Sequence, residues 1–176
     1  MRSSAALRSI PKYLPPRIGP DMDLERFVRI QDQPLRQQET QYERAIRELR
    51  QGRKVNHWIW FIFPQVFGLG SQPNSRLYGI KSVDEARAYL AHPVLGPRLR
   101  AATEAVLESG EKDLNRLFGA EIDAVKFRSS MSLFAWVSLR TDNEFYLQAM
   151  MKLWGGSWDK KTLRIIKKWE DEGRGR

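Results

Sequence analysis

Cysteine is absent from the 176-residue chain, and histidine occurs only as His57 and His92. Without thiols there is no disulfide, no Cys-ligated zinc, no iron–sulfur cluster and no thiol nucleophile. Two histidines exclude a three-His centre, and neither a metal nor another cofactor is expected. Long apolar runs are lacking too. The longest, WIWFIF, has six residues, against the roughly 20 that span a bilayer. No apolar core of a secretory signal is present, and no internal repeat or low-complexity segment.

Acidic side chains are missing from residues 1–20, which carry Arg2, Arg8, Lys12 and Arg17. Residues 160–176 hold seven basic side chains against three acidic ones. Residues 21–159 are nearly balanced, with 19 basic and 18 acidic side chains. The formal charge of +9 therefore belongs to the ends and not to the body. A body built to grip phosphate backbone would carry a basic face of its own, so any nucleic-acid contact is expected at the ends. Pro11, Pro15 and Pro16 interrupt an amphipathic helix near the start. That favours a flexible basic extension over residues 1–20 and a cytoplasmic, non-membrane protein; a mitochondrial address is the alternative.

Apolar material is plentiful: 41% of residues are hydrophobic, with six Trp, five Tyr and eight Phe. This supports one packed domain over residues 21–170, followed by a charged tail over 171–176. The apolar period is helical. Asp23 is a candidate cap before Leu24, Phe27, Val28 and Ile30. Tyr42, Ala45, Ile46 and Leu49 line a face that Gly52 would end. Ser82 with Glu85, and Thr141 with Glu144, have capping-box spacing. Pro93 suits a first helical turn, ahead of Leu95, Leu99, Ala102, Ala105 and Val106. Gly110, Gly119 and Gly155 read as stops, and Asp159 as the cap of a last helix carrying Leu163, Ile166 and Trp169. Lys160, Lys161, Arg164, Lys167 and Lys168 form that helix's solvated face. Sustained strand alternation is missing. The fold class is all-α: a single multihelical domain with a basic N-terminal extension. Residues 57–64 are apolar all round and fit a buried strand or a buried helix. A core helix capped by Asn56 and ended by Pro64 is favoured, because a lone strand would have no partner.

Two clusters carry candidate chemistry. Lys54, His57, Trp58, Trp60, Gln65 and Ser71 crowd one stretch, which apolar packing alone does not require. Gly68, Gly70 and Ser71 form a loop that can present backbone N–H groups to an anion, although it matches neither a Walker loop nor a dinucleotide fingerprint. The aromatics also fit a core role, and His57 fits either a structural or an acid–base role. His92, just before Pro93, reads as a cap or packing residue. The second cluster is Lys126, Arg128, Ser129 and Ser130, cations and hydroxyls inside an apolar helix. Arg128 can clamp a carboxylate or phosphate bidentately, or tie helices together. No nucleophile elbow and no Ser-x-x-Lys order supports a serine nucleophile.

The clusters, in this order, resemble an uncharacterised family, the domain of unknown function numbered 1810. The matching residues are Gly52-Arg53-Lys54, His57-Trp58-Ile59-Trp60-Phe61-Ile62-Phe63-Pro64-Gln65, Gly68-Leu69-Gly70-Ser71 and Tyr78-Gly79-Ile80. They continue through Glu85-Ala86-Arg87-Ala88-Tyr89-Leu90, His92-Pro93-Val94-Leu95 and Lys126-Phe127-Arg128-Ser129-Ser130-Met131. The resemblance covers about residues 23–169 and implies an all-α, multihelical domain, with helix at 57–64. It supplies no activity. The family usually carries an aliphatic residue at Phe127 and alanine at Gly79. An inherited calpain-inhibitor label on some members does not suit a compact, repeat-free, aromatic-rich chain. A distant likeness to helical N-glycosidase-type domains has no residue-by-residue match, and no catalytic residue is taken from it.

Together these observations lead to one expectation. Segments 54–71 and 126–130 converge on a polar-lipped pocket for a small anionic, nucleotide-like ligand. Lys54, Trp58, Trp60, Gln65, Ser71, Lys126, Arg128, Ser129 and Ser130 would bind it; His57 would be the catalytic acid/base of a hydrolase. The alternative is a non-catalytic interaction module whose basic ends meet an acidic partner or RNA.

Overall fold

The computed structural model describes residues 22–139, 141 and 143–174. The expected basic extension lies outside the described residues, as do residues 175 and 176. The described chain is helical, with ten α-helices: α1 (Glu25–Gln31), α2 (Gln41–Arg50), α3 (Ile59–Ile62), α4 (Pro73–Leu77) and α5 (Val83–Ala91), then α6 (Leu95–Glu108), α7 (Leu114–Phe118), α8 (Glu121–Ser138), α9 (Phe145–Trp154) and α10 (Lys160–Arg174). Two isolated β-bridges, Pro34 with Thr40 and Val66 with Ile80, are the only extended pairings among the described residues. Among the described residues no helix is long and apolar enough to cross a membrane.

α8 is the axis of the fold, with α3, α5, α7, α9 and α10 packed on it. Its sequence explains why. From Phe127 to Ser138 nearly every side chain is apolar or a small hydroxyl, and most are buried. A helix apolar on every side must be enclosed by others. The serines admit close neighbours and hold them by hydrogen bonds: Ser132 Oγ accepts the Asp159 amide at 2.9 Å, and Ser129 Oγ meets Thr162 Oγ1 at 2.6 Å. Both contacts fix the start of α10. A continuous aromatic seam fills the centre, with ring centroids 4.7 Å apart for Phe63 and Phe127 and 4.9 Å for Phe118 and Phe127. Burying each such ring contributes about 1.5–3 kcal/mol.

The expected core helix over 57–64 is a single turn. Trp58 starts it, Phe63 ends it, and Trp58, Ile59, Phe61, Ile62 and Phe63 are all buried. Asn56 does not cap it, because its side-chain amide donates to Glu48 instead. Other helix starts also differ from expectation. Leu24, not Asp23, begins α1; the Asp23 carboxylate pairs with Arg29 at 2.9 Å. The Thr141–Glu144 box does not form, since Thr141 Oγ1 accepts the Asn143 amide and Asn143 Oδ1 accepts the Phe145 amide. The Ser82–Glu85 box is half made. Ser82 Oγ accepts the Glu85 amide, but Glu85 turns to the Lys81 amide and to Arg26, 2.7 Å away. Pro93 precedes α6, and His92 Nδ1 accepts the amides of Val94 and Leu95. Asp159 caps α10 through the Thr162 amide, and Gly52, Gly110, Gly119 and Gly155 take positive φ at helix ends, as the sequence suggested.

Candidate functional site

The site is assembled by the loop that leaves α2. Glu48, buried on α2, accepts the amides of Val55 at 2.7 Å and Asn56 at 3.0 Å and the Trp58 indole N–H at 2.8 Å. One carboxylate thereby wraps residues 53–58 around itself. Burial pushes the Glu48 carboxyl up; the Asn56, Val55 and Trp58 donors more than offset that and hold it below the ordinary range. The Lys54 amide donates to the Leu117 carbonyl of α7 at 2.6 Å. Gly119, at φ +73°, lets the α7 end pass close to the Lys54 carbonyl.

This backbone path delivers the buried Lys54 side chain to α8. Its ammonium lies 2.6 Å from Asp123 Oδ2, and Lys126 Nζ lies 2.8 Å from Asp123 Oδ1. The three side chains are 6, 12 and 14% exposed for Lys54, Asp123 and Lys126. Two cations therefore share one carboxylate in a largely desolvated place, leaving a net charge of +1. Burial raises the Asp123 carboxyl, while hydrogen bonds from Lys126 and Lys54 and their charges outweigh it and hold the group ionised. Aromatic faces complete the enclosure. Lys54 Nζ is 5.4 Å from the centroid of the Trp58 ring, and Lys126 Nζ is 4.5 Å from that of Trp60. Trp58 is fully buried, whereas Trp60 is half-buried. Among the described residues the buried Trp60 indole N–H has no hydrogen-bond partner, and neither has Ser130 Oγ, one turn beyond Lys126 on the same face of α8.

The remaining predicted residues go elsewhere. Arg128 lies about 200° around α8 from Lys126 at 100° per residue. It donates to the Ser157 carbonyl at 2.9 Å and to Ser157 Oγ at 2.6 Å, and so holds the connection between α9 and α10. Ser129 is buried against Thr162. Gln65 is half-buried, and its backbone carbonyl accepts the Ile80 amide at 2.8 Å. Ser71 and His57 are exposed. Cavities of about 700, 530, 390 and 340 Å³ lie at other places on the surface, and none is lined by a predicted site residue. The groups missed by the sequence reading are Asp123 and Glu48. Asp123 was signalled by its i, i+3 spacing to Lys126. Glu48 had a weaker signal, a carboxylate next to Leu49 of the apolar stripe of α2.

Residues 21–166 match the sequence profile of a family described as protein of unknown function (DUF1810). The chain belongs to this family. Its DUF1810 fold is shared by the conserved hypothetical protein Rv1873 from Mycobacterium tuberculosis, whose crystal structure matches with a TM-score of 0.73 and 41% sequence identity. The match covers 83% of this chain and 97% of the mycobacterial one. No curated protein matches the chain. The resemblance carried by residues 52–65 and 126–131 is thus membership, and the DUF1810 assignment agrees with the all-α architecture.

Proposed function

We propose that this DUF1810 domain binds a small anionic, nucleotide-like ligand beside Asp123. Lys54 and Lys126 supply the charge, and Trp60 supplies a stacking face and an indole N–H. One observation carries the reading: two ammonium groups share a single carboxylate next to an unpaired indole donor. A site that only joined helices would be complete with one cation for one anion, and buried polar atoms ordinarily find partners. A phosphate or carboxylate settling between the ammoniums would neutralise the surplus charge and accept from Trp60. Trp58 is too deeply buried to stack on a ligand. Its part is to hold the Lys54 loop through Glu48. Arg128 and Ser129 take no part in the binding; they hold α10 and its connection to α9.

Hydrolysis is the narrower reading. His57, exposed in the same loop, is then the proton carrier. A His57→Ala variant that binds the anion but does not turn it over separates binding from catalysis.

The test is a thermal-shift screen of inorganic phosphate, nucleoside monophosphates and small carboxylates against wild type and Lys126→Met. A ligand at 100 times its Kd stabilises by about 2.7 kcal/mol. That raises Tm by several degrees in the wild type and little in Lys126→Met. No shift with any anion contradicts the proposal.

A further inference from the structure

α10 carries a second feature that the anion site does not use. Lys160, Lys161, Arg164, Lys167 and Lys168 are all exposed. At 100° per residue they fall within an arc of about 120° on one side of the helix. The opposite side is anchored by Thr162 and Ile166, both buried against the core. With 1.5 Å of rise per residue, the cations form a stripe about 12 Å long, with a charge near each successive turn. Of these five cations only Lys168 has an acidic partner among the described residues, Glu172 at 3.8 Å. The acids nearest the stripe lie at its two ends. Asp159 is engaged in capping, and Glu170, Asp171 and Glu172 stand past Lys168, with Glu170 accepting the Trp136 indole N–H at 3.3 Å.

The stripe contains no apolar side chain. Protein interfaces place an apolar or aromatic centre inside a polar rim, and residues carrying most of the binding energy sit in that centre. A phosphate backbone asks for no such centre. It is held by Lys and Arg side chains alone, with affinity drawn from counterion release. We infer that the exposed face of α10 binds the sugar–phosphate backbone of a nucleic acid, without reading its sequence. The nearly neutral remainder of the body confines the contact to this helix, so about four phosphates are engaged.

The experiment titrates the full chain against fluorescent 20-nucleotide RNA, single-stranded DNA and duplex DNA at several salt concentrations, with poly-glutamate as the acidic-protein control. Four contacts predict a log–log salt slope near −3 on single strands and about −3.6 on duplex. Replacing Lys160, Lys161, Arg164 and Lys167 together by Glu should abolish binding. All four are exposed, and Glu is a good helix former that suits a first turn, so α10 should persist. The corresponding Gln set should lower affinity and flatten the slope, with circular dichroism and Tm confirming an intact fold. Absence of binding at low salt overturns the inference. So does unchanged affinity in a folded Glu variant, which would place binding elsewhere, residues 1–20 included. Tighter binding of poly-glutamate than of RNA would make the stripe a protein-docking surface and overturn it as well.

Discussion

The carboxylate of Glu48 accepts the indole N–H of Trp58 at 2.8 Å, with both side chains buried. This bond ties α2 to the aromatic core and sets the path of the loop between them. Removing the carboxylate strands the Trp58 indole and the amides of Val55 and Asn56. Glu48→Ala should cost about 3–5 kcal/mol, because several buried donors lose their acceptor at once. Glu48→Gln keeps an acceptor and should cost about 1–2 kcal/mol. Urea denaturation measures both; equal, small losses would contradict this role.

The ion triplet predicts an order of losses. Asp123→Ala leaves two cations in a desolvated place without their shared partner and should cost about 3–5 kcal/mol. Lys54→Met leaves Asp123 paired with Lys126 and fills the space with apolar chain, so the loss should be under about 2 kcal/mol. Comparing chemical denaturation midpoints decides this. The reverse order would mean that Asp123 is not the hub.

Acid should weaken the fold through the same two carboxylates. Glu48 and Asp123 have folded pKa values below their ordinary ones. Their contribution is therefore complete above about pH 5 and is lost as pH falls through the folded values. In Glu48→Gln and Asp123→Asn the acid limb of the stability curve should be shallower than in wild type. Parallel curves would place the acid sensitivity in other groups.

Gly79 sits where the backbone leaves no room for a side chain. A Cβ there would lie 2.8 Å from the Ser75 carbonyl and 2.9 Å from the Phe67 Cα. Both obstacles are backbone, so Gly79→Ala should destabilise by about 1–3 kcal/mol. Phe127 fills the seam between Phe63, Phe118 and Trp154. Phe127→Leu should leave a partial cavity and cost about 1–3 kcal/mol. Calorimetry of each single variant measures these losses, and a gain in Tm for either would contradict the packing described.

Much of the fold was legible because it rests on periodicity. α2, α6 and α10 follow apolar stripes, and Gly52, Gly110 and Gly119 end helices where positive φ is needed. Caps were less legible. A side chain with capping chemistry can be claimed by a distant partner, as Asn56 is by Glu48 and as Glu85 is by Arg26. Thr40 with Glu43 forms a full capping box that the sequence reading passed over. The candidate site was half legible. Lys54, Trp58, Trp60 and Lys126 do gather, but neighbouring positions on a helix face different ways, so Arg128 and Ser129 serve another seam. Asp123 could not be placed between two lysines from different elements until the helices were packed.

The most direct measurement is isothermal titration of the most stabilising anion into wild type, Lys126→Met and Arg128→Ala. Lys126→Met should lose at least about tenfold in affinity, or about 1.4 kcal/mol, while Arg128→Ala binds as the wild type does. Undiminished binding by Lys126→Met, or loss confined to Arg128→Ala, would contradict an anion site beside Asp123.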